Sequence, residues 1–272
     1  MAEAMLSLYP IMVKSIATNI FTHVFMRLLT YTVISSFFIS MPLSTVLLNP
    51  SFTLVSILNL VHIFSSYVAF KNLNAGAAMT LFYIYPIFNL FLKSIITKTP
   101  ISAKTIMYFI VCLFGVFMIS LNEITSDQTK GLFMVGLISI LIASLTESLT
   151  YTFYKQENQQ NPFDGIFTLY CVGFLLMLLI SPKYLEVKNN MSNLSKLLLF
   201  NVLIGIVGHL FRFYGIPRVT TEIYSILLFI GVITAYLFGW FFLSEGITLY
   251  HIIGTVLILF GVYNVSQNHT VK

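Results

Sequence analysis

Two stretches of the chain carry the same polar signature. His62-x4-Tyr67-x3-Lys71 recurs, at an offset of 147 residues, as His209-x4-Tyr214-x3-Arg218, with a Phe also shared at the same spacing. Both stretches lie in strongly apolar surroundings. Histidine takes up and releases a proton near neutral pH, and an ionisable group in a bilayer-length apolar segment usually faces a cavity or a partner. The chemistry open to such a pair is solute binding or proton passage. The alternative is that each ring hydrogen-bonds a neighbouring helix and packs it.

Glu147 is the one carboxylate well inside an apolar run. Unpaired at that depth it would cost about 2.5–3.5 kcal/mol on insertion scales, so it is expected to be protonated, paired or in water. Lys14, on the first helix of the other half, is the expected partner. A Glu whose proton affinity follows ligand occupancy would act as a proton-coupling group. Against this, Glu147 lies about two turns from its helix end and can snorkel to the interface. Arg212 falls one turn after His209 on nearly the same face, and a buried guanidinium grips carboxylate or phosphate with two parallel hydrogen bonds. The other reading is a helix-end cation facing lipid headgroups. Arg27 reads as a structural anchor. Pro86 interrupts an apolar run and frees a backbone carbonyl, so Tyr83, Tyr85 and Asn89 can present polar groups beside it. The candidate binding or proton-coupling positions are thus Lys14, His62, Tyr67, Tyr83, Asn89, Glu147, His209, Arg212 and Tyr214.

The elements that must position these groups follow from composition. The chain has 272 residues, of which 58% are hydrophobic and 8% charged, with a mean hydropathy of +0.92. Soluble domains carry about 25% charged residues, so this composition specifies an all-α integral membrane protein. Ten apolar runs are legible at roughly 4–17, 20–40, 51–70, 75–96, 102–121, 131–154, 163–180, 194–214, 220–243 and 248–266. Proline dipeptides mark the breaks: Met41-Pro42, Asn49-Pro50, Thr99-Pro100, Asn161-Pro162 and Ser181-Pro182. Residues 81–120 align without a gap on residues 227–266 and share ten identities, among them Phe114-Gly115-Val116 with Phe260-Gly261-Val262. The expectation is two inverted five-helix repeats, residues 1–124 and 125–272, joined by the polar stretch Glu123 to Lys130. Two such halves imply a site between them that opens to alternate sides.

With the amino terminus on the cytoplasmic side, seven Lys and Arg residues fall inside and five outside, a weak positive-inside bias. Lys93, Lys98 and Lys104 supply most of it. The glycosylation-type triplets at Asn190 and Asn193 then lie outside, and the one at Asn268 lies inside.

The segment Thr221 to Ser266 resembles the EamA-type repeat of the drug/metabolite transporter superfamily. The features that carry the resemblance are Glu245 in a short break between helices, Gly254, and a closing Gly261-Val262. The first half holds a weaker copy at Pro86-Ile87-Phe88 and Gly115-Val116, with Thr99 where the Glu would stand. Lys14 and Arg27 are similar to the first-helix Lys and second-helix Arg of that superfamily. The resemblance implies ten helices in two inverted repeats forming a secondary transporter for a small polar solute. It leaves the solute open among amino acids, drugs, nucleotide sugars and sugar phosphates. A sugar-phosphate or nucleotide-sugar exchanger would need several inward cations, and Lys14, Arg212 and Lys71 are few.

The remaining classes have less support. The net charge of +5 is scattered rather than clustered, which gives nucleic acid no binding surface. No Gly-Lys dipeptide exists for a phosphate-binding loop, and there is no Cys-x-x-Cys, His-Glu-x-x-His or Gly-x-Ser-x-Gly. A membrane-embedded enzyme would need clustered carboxylates or a His/Asp group at one bilayer face. No cofactor or metal is expected. The expected partners are a small-molecule solute and the lipid bilayer, and the sequence leaves oligomeric state, a homodimer included, and residual activity open.

Overall fold

The computed structural model describes residues 1–98, 100–123, 127–154, 161–180, 183–186, 191–215 and 221–267. Among them there is no strand. The helices in chain order are α1 (Ala2–Leu6), α2 (Tyr9–Ser15), α3 (Ile20–Ser36), α4 (Leu43–Leu48), α5 (Pro50–Asn72), α6 (Ala75–Phe82), α7 (Tyr85–Thr97), α8 (Ala103–Glu123), α9 (Asp127–Tyr154), α10 (Pro162–Ile180), α11 (Met191–Phe200), α12 (Val207–Gly215), α13 (Thr221–Leu243) and α14 (Leu249–Gln267).

The turn chemistry in the sequence becomes cap chemistry in the fold. Asn19 Oδ1 accepts from Thr22 N at 2.8 Å to open α3, and Asn49 Oδ1 accepts from Ser51 N at 2.9 Å to open α5. Asn161 Oδ1 takes the Phe163 N–H at 3.0 Å at the start of α10. Each asparagine satisfies a donor that the first helical turn leaves orphaned. At α5 and α10 a proline follows at the first helical position, where it has no N–H to lose.

Several apolar runs are subdivided. The first breaks at Ser7–Leu8, with Pro10 in the opening turn of α2, and the fourth breaks at Tyr83–Ile84, with Pro86 in the opening turn of α7. The second run ends at Ser36 rather than at Ser40, and the extra short helix α4 precedes α5. Between α11 and α12 the chain passes through a π-helical turn, Asn201–Ile206.

Five described stretches are long and apolar enough to cross a bilayer: Pro50–Asn72, Ala75–Ile96, Gly131–Thr150, Pro162–Ile180 and Met191–Gly215. Ala103–Ile119, Ile230–Leu243 and Leu249–Val265 are shorter apolar helices. Large apolar side chains such as Phe114, Leu179, Trp240 and Phe241 are exposed on the outside, as expected where the solvent is lipid rather than water.

Packing runs in a regular pattern. α8 lies against α14, α3 against α10, α6 against α13, and α5 against both α9 and α10. α1 and α2 contact α13, α1 also contacts α12, and α7 contacts α9. The α8–α14 crossing is close because glycine meets backbone from both sides. A Cβ on Gly115 would come 2.7 Å from Gly254 O, and one on Gly254 would come 2.6 Å from Gly115 O. At the other end of the crossing a Cβ on Gly261 would lie 2.9 Å from Tyr108 O. Small residues permit this approach where helices gain their association from van der Waals contact.

Candidate functional site

At the centre of the helices is a cavity of about 70 Å³, several times the roughly 10–15 Å³ that one water needs. Its charged lining comes from five elements: Glu3 on α1, Arg27 on α3, His62 on α5, Glu147 on α9, and His209 with Arg212 on α12. Asn59, Ser66, Thr150, Tyr9, Tyr83 and Tyr170 add polar or amphipathic surface. All six ionisable residues are buried.

Arg212 is the hub of one side. Its Nε lies 3.3 Å from Glu3 Oε1 and its Nη1 lies 3.3 Å from Glu147 Oε1. Each carboxylate has a second neighbour. Tyr83 Oη donates to Glu3 Oε2 at 2.7 Å, and His62 Nδ1 lies 3.7 Å from Glu147 Oε2. One guanidinium therefore holds two buried acids from different helices, the kind of mutual compensation that buried charge requires.

The two histidines are oriented alike. His62 Nδ1 lies 3.0 Å from Ala143 O. His209 Nδ1 lies 3.0 Å from Gly205 O and 3.1 Å from Tyr31 Oη. A carbonyl only accepts, so the network assigns the Nδ1–H as donor in both rings. Nε2 is then the atom left for a proton or a solute, and it has no hydrogen-bond partner among the described residues.

Arg27 occupies the other side, inside a cage of tyrosines. Tyr170 Oη accepts from its Nε at 3.2 Å and from its Nη2 at 2.8 Å, and Tyr67 Oη accepts from Nη1 at 3.5 Å. The guanidinium carbon sits 4.2 Å from the Tyr9 ring centroid, with Tyr31, Tyr67 and Tyr170 between 5.5 and 5.8 Å. Cation–π attraction of this kind strengthens when water is excluded.

The sequence-derived candidates divide. His62, Tyr83, Glu147, His209 and Arg212 line the cavity. Tyr67 is fully buried just behind it and reaches it through Arg27. Asn89 is half-buried and outside the lining, where its Oδ1 accepts from Ser148 Oγ at 2.7 Å. Tyr214 is 58% exposed and outside the lining. Lys14 does not meet Glu147. It ion-pairs with Glu245 between α13 and α14, because the break at Ser7–Leu8 directs α2 towards that connection while Arg212 and His62 occupy Glu147. Glu245 is likewise more than a turn residue, since its Oε2 accepts the Ala75 N–H at 2.7 Å at the start of α6. Arg218, Asn190, Asn268 and Thr99 lie outside the described residues, and Asn193 donates its amide to Ala17 O at 3.1 Å.

Two charged lining residues were not among the sequence candidates. Glu3 lies just before the first apolar run as delimited, and Arg27 was set aside as an anchor. A signal for Glu3 exists: sliding the repeat to an offset of 144 places Glu3 on Glu147. Among the described residues no group of three or more His, Cys, Asp or Glu side chains is placed to hold a metal ion.

An all-helical chain with several membrane-length apolar helices around a buried charged cavity is a multi-pass integral membrane protein. Residues 134–267, just under half of the chain, match the EamA-like transporter family, a match consistent with the drug/metabolite transporter superfamily. The chain as a whole has the fold of a solved structure described only as a crystal structure of protein, with a TM-score of 0.52 over 98% of this chain and 94% of that one at 13% identity. No curated protein matches it in sequence.

Proposed function

We propose that the chain is a secondary transporter that moves a small polar metabolite by alternating access around the central cavity. The observation that carries this reading is the composition of the cavity, four of whose six charged or histidine side chains come in matched pairs from the two halves. Glu3 on the first helix of one half stands with Glu147 on the first helix of the other, and His62 with His209.

Ten crossings in two inverted repeats, residues 1–124 and 125–272, suit the packing. Several neighbour pairs have counterparts: α5 with α9 answers α12 with α1, and α7 with α9 answers α13 with α1 and α2. The α3–α10, α6–α13 and α8–α14 pairs answer themselves, as a two-fold axis in the membrane plane requires. The connections also group by end. Asn19 N donates to Glu186 Oε2 at 3.0 Å, and Glu245 joins Lys14 to Ala75. Ser40 N and Oγ donate to Asp164, and Asn161 donates to Phe38 O. Alternate crossings put the first, third, seventh and ninth connections at one end and the second and sixth at the other, and these contacts fall in that way. The Lys14–Glu245 pair then seals one end of the path.

The charged groups of the lining are arranged as ion pairs beside hydrogen-bond donors and acceptors, which suits binding and release. A sugar-phosphate exchanger is less well served, because among the described residues Arg27 and Arg212 are the only Lys or Arg side chains lining the cavity and Arg212 is already held by two acids. The test is uptake by proteoliposomes from a labelled metabolite pool, with and without a pH gradient. Accumulation that Glu147→Gln and Arg212→Gln abolish supports the proposal. Absence of uptake of every solute in the pool overturns it.

A further inference from the structure

We infer that the transported solute carries an acid group and that this group seats on Arg27. The inference rests on the transport reading above and adds the chemical class of the solute to it.

Arg27 is 5% exposed and lines the cavity. Among the described residues it has no carboxylate partner; its neighbours are phenol hydroxyls and aromatic faces. A buried cation is normally compensated by an anion, because desolvation costs more than neutral donors and π faces return. Arg212, in the same cavity, shows the ordinary solution, with two carboxylates around one guanidinium. Arg27 lacks that solution and faces a space large enough for a ligand.

The hydrogen-bond inventory points the same way. A guanidinium has five N–H groups. The tyrosine cage engages three of them: Nε and one on Nη2 with Tyr170, and one on Nη1 with Tyr67. One N–H remains on each terminal nitrogen, so two donors are left for the oxygens of a carboxylate or phosphate. Ser66 adds a second, independent sign. Its hydroxyl is buried, lines the same cavity and has no hydrogen-bond partner among the described residues. An oxyanion entering the cavity offers an acceptor to both.

The cage has its own purpose in this arrangement. Neutral tyrosines fix the guanidinium without neutralising it, so the charge stays available to the solute. An aspartate or glutamate in place of Tyr170 would satisfy Arg27 permanently and remove the reason for an acid to bind. Tyr170 is thus a positioning residue, and Arg27 is the binding residue.

The experiment uses the purified full chain and four probes at matched ionic strength: acetate, inorganic phosphate, glycine and ethylamine. Thermal stability of wild type should rise with the acid-bearing probes and stay unchanged with ethylamine. Arg27→Lys keeps a charge but loses the fork, and Arg27→Gln loses both. The apparent affinity for acetate and glycine should fall roughly 30-fold or more in Arg27→Gln, as for truncation of one partner of a buried charge pair, and by less in Arg27→Lys. Tyr170→Phe removes two of the bonds that aim the guanidinium and should weaken the same probes several-fold with the fold intact, which keeps the test decisive if Arg27→Gln does not fold. Equal protection by ethylamine, no protection by any acid, or wild-type affinity in both Arg27→Lys and Tyr170→Phe overturns the inference. Uptake separates the two readings. If proteoliposomes accumulate solutes and none of them carries an acid group, the inference fails and transport stands. If they accumulate nothing, transport fails and the probe titrations alone decide what Arg27 binds.

Discussion

The sharing of Arg212 between Glu3 and Glu147 makes a quantitative prediction about non-additivity. In Glu3→Gln or Glu147→Gln alone, Arg212 keeps one carboxylate at 3.3 Å. The charge-assisted bond to Glu147 is worth about 1.5–3 kcal/mol, the contact with Glu3 is an ion pair, and relief of repulsion between two acids that share one cation offsets part of either loss. Each single variant should therefore lose only about 1 kcal/mol, at the lower end of the range for point mutants. The double variant takes both flanking carboxylates from the buried guanidinium, and removing the acid partners of a buried charge costs about 3–5 kcal/mol. The excess over the sum of the singles should be about 1–3 kcal/mol, within the range for coupled neighbours. At roughly 2–4 °C per kcal/mol for a chain of this order of size, the double variant should unfold roughly 2–12 °C below the additive expectation. Cys112 and Cys171 are both buried, so a thiol-reactive fluorogenic dye reports unfolding in detergent without added labels. Adding Arg212→Gln to the double variant should restore part of the loss, because the buried charge that both acids flanked is gone. Losses that add to within about 0.5 kcal/mol would refute the shared-cation reasoning.

Three further outcomes follow from the geometry. Gly254→Ala should cost about 1–3 kcal/mol through overpacking against Gly115 O and Ile119, whereas Gly131→Ala, with nothing within 4 Å of the new methyl, should be neutral or stabilising; equal melting temperatures for the two would contradict the close crossing. Cysteines introduced at Lys183 and at Phe37, both exposed and in connections assigned to opposite ends, should differ in labelling by an impermeant thiol reagent added outside cells, with only the first reacting. The reverse pattern would invert the orientation. His62→Leu and His209→Leu each lose a hydrogen bond to a carbonyl, worth about 1 kcal/mol, so both should remain folded while uptake in proteoliposomes falls at least about tenfold; wild-type uptake would make the histidines packing residues.

Much of the cavity was legible in the sequence because polar residues are rare in it and repeat. His62 and His209 were found by their common spacing, and Arg212 by its position one turn beyond a histidine. Glu147 stood out as a lone acid in an apolar run. Its partner could not be read, because pairing Lys14 with Glu147 assumes a straight first helix. The Ser7–Leu8 break divides that segment, so Glu3 serves the cavity and Lys14 serves the Glu245 connection. Glu3 itself was hidden by a boundary drawn one residue too late, at the kind of position where hydropathy is least informative. Arg27 was visible as an anchor, but nothing in a linear sequence shows that Tyr9, Tyr31, Tyr67 and Tyr170, from four different helices, close around it. Tyr214 was carried by the repeat spacing, yet it sits beyond the cavity near the end of α12.

The π-helical turn at Asn201–Ile206 sits immediately before the two most important side chains of the second half, His209 and Arg212. A π turn takes up one residue more than an α turn. Removing one residue from it would let the segment close as an ordinary α turn with the side chains beyond keeping their direction, whereas in a plain α-helix the same deletion would rotate everything beyond by about 100°. The π turn is therefore slack in the residue count: the aim of Arg212 at Glu3 and Glu147 can survive one residue fewer in this segment. A scan that only substitutes side chains would pass over that tolerance, and a single-residue deletion here would expose it at once.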